Sequence, residues 1–161
     1  MKRGNFMLYQ TSVRLTYEEY KRFAKTYVKK NLLKTLIGMS LVVLGTILFW
    51  IVEPFSTITM LLTLFIILYP ILLYCKLTKA IKKTYMSNEL LKDIVETIEF
   101  YESHFISKTE KSEVTVKYEE LYKILENKTN FYLMIADNQG YIVSKANCSQ
   151  ELIDFIMSLK K

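Results

Sequence analysis

Two apolar runs separated by one Glu-Pro pair limit what this chain can become. Residues 35–52 and 55–75 contain no charged side chain, and only Glu53 and Pro54 stand between them. A helix needs about 20 apolar residues to cross a hydrocarbon core of about 30 Å, and each run meets that length. The first run holds eleven Leu, Ile, Val and Phe residues. Each favours insertion by roughly 0.3–0.6 kcal/mol near the bilayer centre, so the run as a whole inserts by a few kcal/mol. A two-residue break cannot join helices that stand apart. The runs are therefore expected to form a tight antiparallel hairpin over residues 32–76, with spans at about 32–52 and 55–75. The alternative is a pair of buried helices in a soluble protein. A chain of 161 residues is too short to wrap two helices that are apolar all round.

The flanks set an orientation. Lys25, Lys29, Lys30 and Lys34 precede the first run, Lys76, Lys79, Lys82 and Lys83 follow the second, and the turn carries Glu53 without a cation. The positive-inside rule then puts both termini in the cytoplasm and the turn outside, which describes a multi-pass protein of the inner, cytoplasmic membrane. Lys76, Lys79, Lys82 and Lys83 are the candidate lipid-surface contacts, each worth about 1 kcal/mol beside anionic headgroups. No secretory leader is visible, because the first apolar run starts too far from Met1. The net charge of +6 rests on Lys far more than on Arg. Arg is the better reader of phosphates and base edges, so a lipid bilayer is the expected partner and nucleic acid is not.

The remainder is polar enough to fold in water. Residues 6–15 suit a strand with Phe6, Leu8, Val13 and Leu15 toward a core. Thr16 and Glu19 have the spacing of a capping box. The basic helix they open, residues 16–31, carries Tyr17, Tyr20, Phe23, Ala24 and Tyr27 on one stripe. That stripe lies on the bilayer or packs on the soluble domain; the sequence allows either. A juxtamembrane helix is expected over 77–92. From residue 94 the period changes to two, giving strands near 94–101, 104–108, 114–118, 122–127, 131–135 and 141–144, with a turn at 137–140. Ser149 caps a last helix with Leu152, Phe155, Ile156 and Leu159 on one face. The expected fold is an α+β membrane protein. Its two-helix transmembrane hairpin is inserted into a small antiparallel β-barrel or sandwich closed by a C-terminal helix. Residues 93–161 alone are marginal for a core, so the strand within residues 1–15 is expected to join their sheet.

Candidate chemistry is sparse. His104 is the only histidine, which rules out a multi-histidine metal site, and it lies beside a turn with no nucleophile at a recognisable spacing. Glu119 and Glu120 read as a solvated pair, and Gly140 as a hairpin turn. Cys75 and Cys148 form no CxxC. No catalytic, metal or cofactor residue is expected, and the chain is not expected to be an enzyme. The spans hold no ionisable residue to mark a proton or ion route. Gly38 and Gly45 fall on nearly one helix face, for close contact within the hairpin or across a homo-oligomer seam. Lys145 ends a strand and is the candidate partner contact, against the plainer reading of a solvated strand end.

The layout also resembles a family. A short strand, a Thr-x-x-Glu helix start, two spans with a minimal turn and a strand-rich end are similar to the YcxB-like bacterial membrane proteins. The residues that carry the likeness are Tyr118-Glu119-Glu120-Leu121, Lys123-Ile124, Asn130-Phe131-Tyr132-Leu133 and Tyr141-Ile142-Val143-Ser144-Lys145, with the Leu152 helix after them. The resemblance implies a pleckstrin-homology-like (PH-like) cytoplasmic domain and no particular activity. Ser144 replaces a common Pro and Cys148 a common aromatic, which loosens that corner. The expected function is a two-pass membrane protein displaying a small binding or regulatory module for a protein or peptide partner. The alternative is self-protection against a membrane-active peptide, which a peptide precursor gene alongside would favour.

Overall fold

The computed structural model describes residues 6–53, 56–89 and 92–160, without the side chains of residues 27 and 29–34. Expectations for Tyr27, Lys29, Lys30, Lys34, Pro54, Leu90 and Leu91 therefore lie outside the described residues. The chain divides into two compact bodies, Met1–Tyr27 with Tyr85–Lys161, and Val28–Thr84.

The first body is α+β. Strands β1 (Tyr9–Arg14), β2 (Val95–Phe100), β3 (His104–Lys108) and β4 (Glu113–Lys117) form one antiparallel sheet in that order. Strands β5 (Lys123–Glu126), β6 (Asn130–Met134) and β7 (Gly140–Ser144) form a second. Among the described residues neither sheet closes on itself. A 3-10 turn at Tyr118–Glu120 joins the sheets, and another at Lys145–Asn147 leads to helix α3 (Gln150–Ser158). β1 pairs with β2 from Tyr9 opposite Phe100 to Arg14 opposite Val95, so the N-terminal strand joins the C-terminal sheet as expected.

The strand's inward face differs from expectation. Thr11, Val13 and Leu15 are buried, whereas Phe6 is 82% and Leu8 41% exposed. Side chains two apart share a face, so Phe6 and Leu8 cannot point the same way as Val13 and Leu15. The inner face can hold a polar Thr11 because its hydroxyl donates to the Asn147 carbonyl at 3.0 Å. All five residues of β6 are buried. Phe131 and Leu133 join Ile98, Phe100, Phe105, Leu152 and Ile156 on one side. Tyr132 and Met134 meet Val13, Leu15, Phe23 and Ile142 on the other. Ile135, the last residue of the strand expected at 131–135, lies past β6 and is 38% exposed.

Helix α1 runs unbroken over Tyr17–Val52, so the basic helix and the first span are one element. Thr16 Oγ accepts from the Glu19 backbone N–H at 3.3 Å, as a capping residue should. The reciprocal half of the box is absent: the Thr16 N–H donates to the Arg14 carbonyl, and the Glu19 carboxylate instead accepts from Arg22 and from the Asn130 side chain. Phe23 and Ala24 are buried, so the start of the aromatic stripe packs on the sheet. Helix α2 (Thr57–Ser87) likewise continues past the second run to Tyr85. The Tyr85 hydroxyl donates to the Leu15 carbonyl at 3.0 Å and accepts from the Asp93 N–H at 3.2 Å. Helix structure thus ends at Ser87, short of the expected residue 92.

The helical segments Thr35–Val52 and Thr57–Ser87 are each long and apolar enough to cross a membrane. A core helix of a soluble protein would be mostly covered, but only 6% of each apolar segment is buried. Thr46 and Thr59 are buried, and Trp50 Nε1 donates to Thr63 Oγ at 3.2 Å, which ties the two helices together. A Cβ built on Gly38 or Gly45 would meet nothing within 4 Å, so neither glycine makes the close contact within the hairpin that their spacing suggests.

Candidate functional site

A cavity of about 500 Å³ opens between the two sheets of the first body. Leu15, Phe23, Val114, Ile135 and Ile142 make much of its wall apolar, and Tyr20 and Tyr141 add aromatic faces. Ser107, Thr109, Ser112, Gln139 and Asn88 also line it. Among the described residues, Glu96 is the one carboxylate in the lining, and no Lys, Arg or His is with it.

The position of Glu96 follows from strand geometry. β2 alternates, with Glu96, Ile98 and Phe100 inward and Val95, Thr97 and Glu99 outward or half-covered. Glu96 stands opposite Val13 of β1. Ser107 reaches it from the inward face of β3, and its hydroxyl donates to Glu96 Oε1 at 2.6 Å. The carboxylate is 6% exposed. Burial pushes its pKa above the ordinary carboxylate value, and the Ser107 hydrogen bond only partly opposes this. Tyr141 across the cavity is shifted upward by burial and then by the nearby Glu96 charge. A buried carboxyl in a partly apolar recess attracts a cation when ionised and can donate a hydrogen bond when protonated.

Sequence reasoning missed this group. Its signal was a Glu inside the set Ile94, Glu96, Ile98, Phe100, an acid on the apolar side of a period-two pattern. Neither Glu119 nor Glu120 lies near it. Both are exposed in the 3-10 turn, where Glu120 accepts from the Lys117 N–H at 3.1 Å and Glu119 pairs with Lys117 at 3.5 Å. His104 stacks on Tyr101 with ring centroids 4.8 Å apart.

Lys145 is tied into the fold. Its Nζ donates to Glu126 Oε1 at 2.6 Å and lies 4.5 Å from the Phe131 ring centroid, while Lys160 takes the other Glu126 oxygen. Those two lysines hold the Glu126 carboxyl below the usual range. Lys76, Lys79, Lys82 and Lys83 are all exposed on the last turns of α2. Cys75 is exposed and Cys148 half-buried, and both are free thiols. The Cys148 Sγ donates to the Ser144 carbonyl at 3.1 Å.

The fold and cavity describe an α+β body attached to two helices able to span a membrane. Residues 100–159 of that body match the family model described as YcxB-like protein. The resemblance seen in the sequence therefore holds from the end of β2 through α3. No curated protein and no solved structure matches the chain.

Proposed function

We propose that the chain is a two-pass protein of the cytoplasmic membrane that presents a PH-like binding module in the cytoplasm and carries out no reaction of its own. The observation that carries this reading is the pairing of β1 with β2 across the hairpin insertion. The segment before α1 and the segment after α2 share one sheet, so the polypeptide between them crosses a bilayer an even number of times. The exposed lysines after the second apolar run, with Glu53 and no cation in the turn, support a cytoplasmic location for that sheet. Four-stranded and three-stranded antiparallel sheets followed by a helix support the PH-like arrangement. The cavity between them supports binding, since small-molecule sites are typically concave and about 300–1,000 Å³. The juxtamembrane lysines add contact with anionic lipid, and a protein or peptide partner completes the assembly.

Topology tests the reading. In a background with Cys75→Ser and Cys148→Ser, a membrane-impermeant maleimide should label Glu53→Cys in intact spheroplasts. It should label Ser158→Cys only after lysis. Labelling of Ser158→Cys in intact spheroplasts, or of neither position before lysis with the protein recovered in the soluble fraction, overturns it.

A further inference from the structure

We propose that the cavity between the sheets is a receptor site for a small primary ammonium carried on an apolar body, with Glu96 as its counter-ion. The proposal rests on reading the sheet body as a binding module and names what it binds. Three observations lead to it. The site encloses one buried carboxyl and, among the described residues, no positively charged side chain lines it, so a cation is the ligand charge it can pair. Ser107 beside the carboxylate and Gln139 in the cavity lining carry acceptors as well as donors: the Ser107 hydroxyl oxygen and the Gln139 side-chain carbonyl can take the N–H bonds that an –NH₃⁺ has left after meeting Glu96. Beyond this polar end, Leu15, Phe23 and Ile142 form an apolar wall suited to hydrocarbon and unsuited to a hydrated metal ion. Tyr20 and Tyr141 present rings to the same space, and aromatic faces attract ammonium groups.

Ligand binding converts the cost of a buried, unpaired carboxylate into a charge-assisted hydrogen bond. An alcohol of the same shape would fill the apolar wall but leave the acid without a counter-ion. That difference is the specificity the site provides.

The test uses the full chain in phosphatidylcholine nanodiscs and phenethylammonium as the probe, followed by saturation-transfer NMR with empty discs subtracted. Saturable binding is expected, with phenethyl alcohol a poor competitor. Glu96→Gln should weaken the probe by about tenfold or more, the scale of a lost charge-assisted hydrogen bond. Ile135→Trp, at the exposed rim, should block entry without disturbing the core and keeps the test decisive if Glu96→Gln does not fold. Discs containing phosphatidylethanolamine separate two sources of the same chemistry. Loss of probe binding there identifies a lipid headgroup as the ammonium, and unchanged binding identifies a soluble amine. Equal binding of alcohol and amine overturns the proposal, as does a folded Glu96→Gln that binds as the wild type does, or an Ile135→Trp that leaves binding unchanged. The maleimide result is independent of all these readings, so a failed topology and a failed cavity are told apart.

Discussion

Glu96 shows how one side chain couples the strand pattern to stability. Its carboxyl accepts from the Ser107 hydroxyl, in a cavity whose lining is largely apolar and includes Tyr141. The raised pKa fixes the sign of the pH dependence. The folded chain keeps this proton to higher pH than the unfolded chain does. Glu96 therefore erodes stability as pH rises from the ordinary carboxylate range toward the raised value, and the full penalty applies once it is charged in both states. Glu96→Gln removes the charge while retaining an oxygen for Ser107. It should be more stable than the wild type by about 1 kcal/mol or more near pH 8, with the gap closing toward about pH 4. Thermal unfolding across that range reads the gap directly, and a gap that does not change with pH would refute the assignment. The acid was legible only as a Glu among the apolar even residues Ile94, Ile98 and Phe100. What that face packs against, and that Ser107 meets the carboxyl, follow from the pairing with β1 and β3 and from the fold.

At the scale of elements, the two sheets depend on close strand approach at their corners. Gly140 opens β7 opposite Met134, and a Cβ there would meet the Leu133 carbonyl at 2.7 Å and Met134 Sδ at 2.9 Å. Backbone atoms on β6 cannot yield without moving a strand buried on both faces. Gly140→Ala should therefore cost about 1–3 kcal/mol, the usual scale for overpacking. In a body this small each kcal/mol lowers Tm by about 4–8 °C, so a melt within one degree of wild type would contradict the packing. Element type was legible locally. Period-two runs became β2, β3, β6 and β7, and Ser149 caps α3 by accepting from the Leu152 N–H at 3.3 Å. Element ends were not. The basic helix and the first span are good helix formers with no breaker between them, so their continuity as α1 was legible, but the boundary drawn at residues 31 and 32 divided one element. Similarly, Lys145 read as a partner contact or a solvated strand end because the acid it pairs with, Glu126, belongs to another element.

For the whole molecule, the sheet body is made from both ends of the chain. Tyr132, Met134 and Ile142 are covered by Val13, Leu15 and Phe23, all of which precede the apolar runs. Removing residues 1–92 exposes that face, and each large apolar side chain returned to water costs about 1.5–3 kcal/mol. The sum is comparable with the entire stability of a small domain, about 5–15 kcal/mol. A chain beginning at residue 93 should therefore fail to give dispersed NMR spectra. Met1–Tyr27 joined to Tyr85–Lys161 by a flexible linker should fold and remain soluble. A well-folded 93–161 fragment would show that the N-terminal contacts are dispensable. The amino-acid sequence by itself determined the two apolar helices, their tight connection, the strand-rich end and the capped last helix, because each depends on the composition and period of a continuous stretch. Tertiary structure alone decided which face of β1 turns inward, that the aromatic start of α1 packs on β6, and that a lone carboxylate is enclosed between two sheets. Those outcomes depend on partners tens to more than a hundred residues away along the chain, and no local pattern carries that information.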